Sequence, residues 1–258
     1  MIVDSMTLEE VAQELLGDMD DVRRIADYRF QKYKSLVLKS HHFPVIRHYE
    51  CKTVERKNRF FVTFTAMKRS DWKEPYCHYY CIYIRPEGMY CALVGPEDRT
   101  VNIYPPHFFS RYRERIIKRN DISPEDLIHL FMSRHWSNFS HYVDLDQIKG
   151  LSKWEQLIHD GEFDLFGTCP DGIIFGQRTK RIVLNKTIIS ESMLFPNQVE
   201  FYESVYNDYH DYLRENYPAD VVSYIIGLEY DFYTPPEPAT KEAIERLRKK
   251  YEIERTSR

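Results

Sequence analysis

The hydrophobic period of this chain changes at Pro44, and that change restricts its fold more than any other feature. Upstream, apolar residues recur at helical spacing. Thr7 and Glu10 form a capping-box pair ahead of Val11, Leu15 and Leu16, with Gly17 as the stop. A second helix, from about Met19 to Leu36, turns Val22, Ile25, Ala26, Phe30 and Tyr33 inward and Arg23, Arg24, Arg29, Lys32 and Lys34 outward. Downstream the period is two. Five runs rich in Val, Ile, Tyr, Phe and Thr follow, at Val45–Thr53, Arg59–Met67, Tyr76–Ile84, Met89–Val94 and Thr100–Tyr104. Connections as short as theirs imply an antiparallel meander. The 20 tyrosines fit such a sheet, with rings on its face and hydroxyls reaching water.

The stretch Tyr104–Met132 carries the most chemistry. Pro105 and Pro106 stop the last strand, and a helix starts near His107. His107, Arg111, Glu114 and Arg115 fall on or beside one face of it, while Phe108, Phe109, Tyr112, Ile116 and Ile117 form an apolar stripe. Asn120 and Asp121 break this helix, and Ser123-Pro124-Glu125-Asp126 opens another with a hydroxyl cap and acids at the positive dipole end. A less regular segment from Ser133 to Gly150 follows, then a short helix near 152–159. Strands return at Phe163–Thr168, Gly172–Gln177 and Arg181–Ile189, with Cys169-Pro170-Asp171-Gly172 as a turn. Helices are expected at about 196–215, 220–228 and 240–252, the last after Pro235-Pro236-Glu237-Pro238. The fold class is therefore α+β: N-terminal helices, an antiparallel β-meander, a central helical pair, a second small antiparallel sheet and C-terminal helices. Its 258 residues suit one large domain or two small ones, and the order of elements favours a single domain, with 234–238 as the place for any boundary.

A histidine that titrates near neutrality, an arginine fork and a carboxylate are the parts needed to bind or cleave a phosphodiester. The same residues also suit a plain helix surface, with Arg111 paired to Glu114, Arg115 solvated and His107 capping the helix start. The segment PHFFSRYRERIIKRNDISPEDLIHLF, with the hairpins at 163–189, resembles RelE/BrnT-like ribonuclease toxin domains through an H-x-x-x-R-x-x-E-R helix and an I-S-x-x-D-L helix. That resemblance covers residues 105–189. It implies metal-free RNA cleavage, in which a ribose 2′-hydroxyl attacks the adjacent phosphate. His107 would be acid or base, Arg111 and Arg115 would hold the phosphate, and Glu114 would orient His107 or take a proton. Arg178, Lys180, Arg181 and Lys186 would extend a phosphate-binding strip, although charge guarding a strand edge explains those four equally.

Other classes are excluded. Nine glycines and no Gly-rich phosphate loop or nucleophile elbow argue against the nucleotide-dependent and hydrolase families those motifs mark, and no cofactor is expected. Five cysteines, an odd number, fit reduced thiols. On a strand, Cys77 and Cys81 would lie about 13 Å apart, too far to share a zinc ion. His135, His141, Asp144 and Asp146 lack metal-site spacing and are expected to bond locally in a loop. His41-His42 reads as a surface turn. No apolar run approaches the ~18 residues of a membrane helix, and the N-terminus lacks a signal pattern, so the cytoplasm is the expected compartment and no membrane the expected partner. Net charge is -4, yet residues 1–21 hold seven acids and no Lys or Arg. Two functions fit: a ribonuclease-like enzyme acting on RNA, or a non-catalytic protein that docks RNA or a protein partner through a basic helix, an aromatic sheet or the helix at 240–252.

Overall fold

The computed structural model describes residues 1–95, 100–136, 139–142, 165–190, 193 and 199–231. The expected helices at 152–159 and 240–252, the boundary at 234–238, and Asp144 and Asp146 lie outside them. The chain is α+β and packs as two compact units. The first comprises Met1–Phe109, Ile122–Ser133 and Arg178–Lys186; the second comprises Ser110–Asp121, Arg134–Gln177 and the described residues from Thr187 onward.

In the first unit, α1 (Leu8–Gly17) begins at a Thr7/Glu10 capping box, and α2 (Met19–Lys39) comes directly after it. Strands β1 (Val45–Lys52), β2 (Arg59–Ala66), β3 (Tyr76–Arg85), β4 (Gly88–Val94) and β5 (Val101–Tyr104) form the expected antiparallel meander. The tip of the hairpin formed by β8 (Gly172–Thr179) and β9 (Ile182–Ile189) adds to it, with Val101–Ile103 pairing in parallel with Ile182–Leu184. Strand β2 reads RFFVTFTA because it is covered on both faces. Phe60, Val62, Phe64 and Ala66 enter the core shared with α1 and α2, beside Val11, Leu15, Val22, Tyr33 and Val37. Each Val, Leu or Phe side chain among them contributes about 1.5–3 kcal/mol by leaving water. Phe61, Thr63 and Thr65 face the other way. There α4 (Pro124–Arg134) packs, its first turn capped as expected by the Ser123 hydroxyl accepting from Asp126 N–H at 3.1 Å.

Buried Asp18, between α1 and α2, ties the helices to the β1–β2 hairpin. Its carboxylate accepts from Thr53 Oγ1 (3.1 Å), Asn58 Nδ2 (2.7 Å) and Arg56 Nη1 (3.0 Å). A separate aromatic cluster of Tyr104, Phe108, Phe109 and Phe131, with ring centroids 5.1–6.2 Å apart, fixes the start of α3 (Pro106–Tyr112).

The second unit holds β6 (Phe139–Tyr142), β7 (Leu165–Cys169) and the remaining parts of β8 and β9, in the order β9-β8-β7-β6. Two helices, α5 (Val199–Asn216) and α6 (Ala219–Asp231), accompany them. The segment after Ser133, expected to be irregular, contributes strand β6, paired with β7 from Phe139↔Thr168 to Tyr142↔Leu165. The β7–β8 turn is the expected one. Gly172 adopts φ +135°, and a Cβ there would stand 2.1 Å from the Ile189 carbonyl oxygen.

Two glycines should therefore respond oppositely to alanine. Gly172→Ala forces both a left-handed strain and a clash with backbone, and is expected to cost on the order of 3 kcal/mol. Gly227→Ala, in α6 with nothing within 4 Å of its Cβ, is expected to gain about 0.5–1 kcal/mol. Thermal unfolding measured by circular dichroism separates them; equal midpoints would contradict the turn geometry.

Candidate functional site

The stretch singled out in the sequence is helical, but its register changes midway. After α3 a single π-turn, Arg113–Ile117, is closed by Lys118 N–H donating to the Arg113 carbonyl at 2.7 Å, with Lys118 at φ +53°. A π-turn holds one residue more than an α-turn and so rotates the side chains beyond it about the helix axis. Arg115, within the turn, is only partly solvated. It is partly buried and donates from Nη1 to Thr187 Oγ1 (3.1 Å) and to the Ile188 carbonyl (2.8 Å) on β9, where desolvation lowers its pKa. Arg111 and Glu114, 51% and 60% exposed, pair at 3.4 Å as the plain-surface alternative expects, an interaction of about 0.5 kcal/mol or less. His107 is exposed on the first turn of α3. The structure thus joins Arg111 to Glu114 and turns Arg115 to the β9 backbone. Of the four cations on the second hairpin, Lys180 and Arg181 are exposed at its tip, whereas Arg178 and Lys186 are half-buried.

The second unit centres on an acid the sequence showed only as a turn residue. The Asp171 side chain is 3% exposed and is bound by Arg134, His135 and Tyr112. Arg134 donates from Nε to Oδ2 (3.1 Å) and from Nη2 to Oδ1 (2.5 Å), His135 Nε2 lies 2.7 Å from Oδ2, and the Tyr112 hydroxyl donates at 2.7 Å. Burial alone would raise the carboxyl pKa, but His135 and Arg134 outweigh it and hold the group well below the usual range. Arg134 also donates to the Leu228 carbonyl at 2.7 Å, so Arg134, the β7–β8 turn and α6 meet at one charge cluster within the second unit. His135, expected in a loop, is buried here because Asp171 gives its ring nitrogen a partner.

A second polar network lies on the α4 side of the first unit's sheet. Register places His48, Thr63 and His78 in one row across β1–β3, and Glu50, Phe61 and Tyr80 in the next. The Ser133 hydroxyl has one hydrogen, donated to the His129 carbonyl at 2.8 Å. It therefore accepts at its 2.8 Å contact with His48 Nε2, and that nitrogen carries the His48 proton. His48 Nδ1 then accepts from Thr63 Oγ1 at 2.7 Å, with the Tyr80 hydroxyl 3.0 Å away. Tyr80 donates to His129 Nδ1 at 2.7 Å, which turns the Nε2–H of His129 toward Glu125, 3.6 Å off. Glu125 takes two bonds from Arg59 (2.7 and 2.8 Å), and Arg59 takes Glu50 as well. Loss of water brings the His48 pKa down to about 4, aided by His129 and Arg47, and brings that of His78 to about 3. The Tyr80 hydroxyl, expected at water, is buried in this network.

The Asp171, His48, Tyr80, His129 and Glu125 side chains bond to neighbours within the chain, whereas buried His78 Nε2 and Thr65 Oγ1 on the α4 side of the sheet have no hydrogen-bond partner among the described residues. Among the described residues no group of His, Cys, Asp and Glu is placed to hold a metal ion. The open constellations are two basic, aromatic patches of the first unit, Lys34 with Lys73 at Trp72 and Lys32 at Tyr28, which helical spacing sets about 120–160° apart around α2. Between Val22 and Lys73 stand fourteen Lys or Arg and four Asp or Glu. At the start of α2, Asp20 and Asp21 pair with Arg23 and Arg24, and α1 supplies Glu14 to Arg56. Farther along α2 that compensation ends. Lys34 Nζ sits 4.2 Å and Lys73 Nζ 5.6 Å from the centre of the Trp72 ring, on the 3-10 turn Arg69–Trp72, and Lys32 lies near Tyr28, which is 66% exposed. Arg69 donates to the Ser40 carbonyl at the end of α2, at 3.0 Å. The local acid, Asp71, accepts from the backbone N–H groups of Met67 (2.8 Å) and Lys68 (3.0 Å). Among the described residues no carboxylate pairs with Lys32, Lys34, Lys39, Arg47 or Lys73. The sequence displayed the outward cations of α2, but not their meeting with Trp72 and Lys73, which depends on α2 packing on the 3-10 turn.

The histidine network makes a signed prediction. His48 and His78 have folded pKa values below the ordinary 6.5, so the unfolded chain binds protons first as pH falls. Their stabilisation is complete above pH 6.5 and is lost from there down toward about pH 4 for His48 and about pH 3 for His78, each contributing a slope of about 1.4 kcal/mol per pH unit. Urea unfolding between pH 7 and 4.5 should show this decline. His48→Gln should lower stability at pH 7 but flatten the slope; an unchanged slope would contradict the neutral imidazole.

Comparison of the chain with protein-family models, with curated protein sequences and with solved structures gives no match, so its function is argued from this geometry alone.

Proposed function

We propose that the protein binds RNA without cleaving it, through the basic, aromatic face formed by α2 and the Arg69–Trp72 turn. The observation that supports this is the meeting of Lys34 and Lys73 at Trp72, with no carboxylate paired to either lysine among the described residues. Lys and Arg attract phosphates by releasing counterions, and aromatic rings among them offer bases a stacking surface worth about 1–3 kcal/mol each. A single strand suits this pairing, because its bases are not committed to a partner. The catalytic alternative has less support. Arg115 serves the β9 backbone, and Arg111 shares its charge with Glu114.

Fluorescence anisotropy with a labelled single-stranded RNA tests the proposal. Contacts to about four phosphates predict a loss of affinity on the order of 100-fold between about 60 and 300 mM salt. Lys34→Glu with Lys73→Glu should weaken binding at least tenfold, Trp72→Ala should weaken it without reducing the salt slope, and His107→Ala should change it less than twofold. The RNA should stay intact. Cleavage abolished by His107→Ala would restore the enzymatic alternative, and binding indifferent to the lysine reversals would remove this one.

A further inference from the structure

We infer that the cleft between α1 and the β8–β9 turn binds a small monocarboxylate with an apolar body. The cleft holds about 240 Å³ and lies within the first unit. Its floor is Ala12, Leu16 and Ile182, and its rim is Glu9, Gln13, Lys180 and Arg181. Glu9, Ala12, Gln13 and Leu16 are spaced i, i+3, i+4, i+7, so one stripe of α1 forms a whole wall. The opposite wall is held in place. Lys180 takes the left-handed conformation at φ +50°, and Val101 N–H donates to the Arg181 carbonyl at 2.7 Å.

Charge selects the ligand. Lys180 Nζ lies 3.6 Å from Glu9 Oε1, whereas no carboxylate pairs with Arg181 among the described residues. The rim therefore carries one uncompensated positive charge, on a guanidinium whose two parallel N–H groups match a carboxylate. A phosphate dianion would bring a second negative charge beside Glu9. The floor is apolar, which favours an alkyl or aryl body over a bare ion, and the volume equals about eight waters of liquid, the size of a short fatty or aromatic acid.

Methyl-resolved NMR on the full chain tests this with hexanoate, hexanamide and inorganic phosphate as probes. Hexanoate should shift the Ala12, Leu16 and Ile182 methyls and saturate at low millimolar concentration. Hexanamide, with the same body and no charge, should bind at least about tenfold more weakly, and phosphate should leave those methyls unmoved. Arg181→Gln, an exposed turn substitution, should weaken hexanoate about tenfold while its remaining spectrum matches the parent. Equal binding of amide and acid, phosphate shifts like those of hexanoate, an indifferent Arg181→Gln variant, or no methyl shifts at all would each overturn the assignment.

Discussion

The first unit depends on keeping an imidazole neutral where water is scarce. Strand β2 is covered on both faces, by α1 and α2 on one side and by α4 on the other, so every polar group on the α4 side needs a partner from within. His48 finds Thr63 and Ser133, Tyr80 finds His129, and His129 finds Glu125. These bonds are directional, which apolar contact is not. They set the rotation of α4 about its axis as well as its distance, because Ser133, His129 and Glu125 lie one turn apart and must all meet the sheet. Toward solvent the network ends in Arg59 between Glu125 and Glu50, where exposure keeps the charges hydrated.

The second unit meets the same demand with charge. Buried Asp171 would be costly alone, and removing one of Arg134, His135 or Tyr112 would leave the rest unsatisfied. Such a cluster is weak as a source of stability relative to an apolar core, but it is selective. Only one arrangement of the β7–β8 turn places Asp171 between the end of α4 and Tyr112, and Gly172 permits that turn because a side chain there would strike the Ile189 carbonyl.

How much of the fold is legible in the sequence depends on the range of the interaction that decides each element. Strands β1 to β5 appear within a residue or two of their expected bounds, since alternation of Phe60, Val62 and Phe64 against Thr63 and Thr65 is a local signal. The caps at Thr7 and Ser123 are also local, and both form. The π-turn at Arg113–Ile117 is hidden. Its register accompanies the hold of Arg115 on Thr187 and Ile188, more than 70 positions away, and no spacing within YRERII reports that bond. His48 and Ser133 are 85 positions apart, and His135 reads as a loop residue because its acid arrives from another hairpin. Helical spacing places His107 and Arg111 at the surface, where they are exposed, but does not show that Arg115, close to Arg111, is half-buried against β9. The basic face is half visible, as the outward side of α2 without the Trp72 turn.

A polar cluster can act on an outside molecule only where some of its valences remain open. Around Asp171, and at His48, Tyr80 and His129, neighbours within the chain take up the side-chain bonds, and a perturbed pKa there records burial and pairing. Charge along α2 is arranged in the opposite way. The acids of residues 1–21 neutralise the start of α2, Arg56 and Lys180, and leave Lys32, Lys34 and Lys73 around two aromatic rings without a described anion. Mutual repulsion among those cations destabilises the free protein slightly, and a polyanion would relieve it on binding. The near-balanced total charge is thus a sum of two separated fields, and it is the uncompensated field, not the net, that decides which partner the surface can attract.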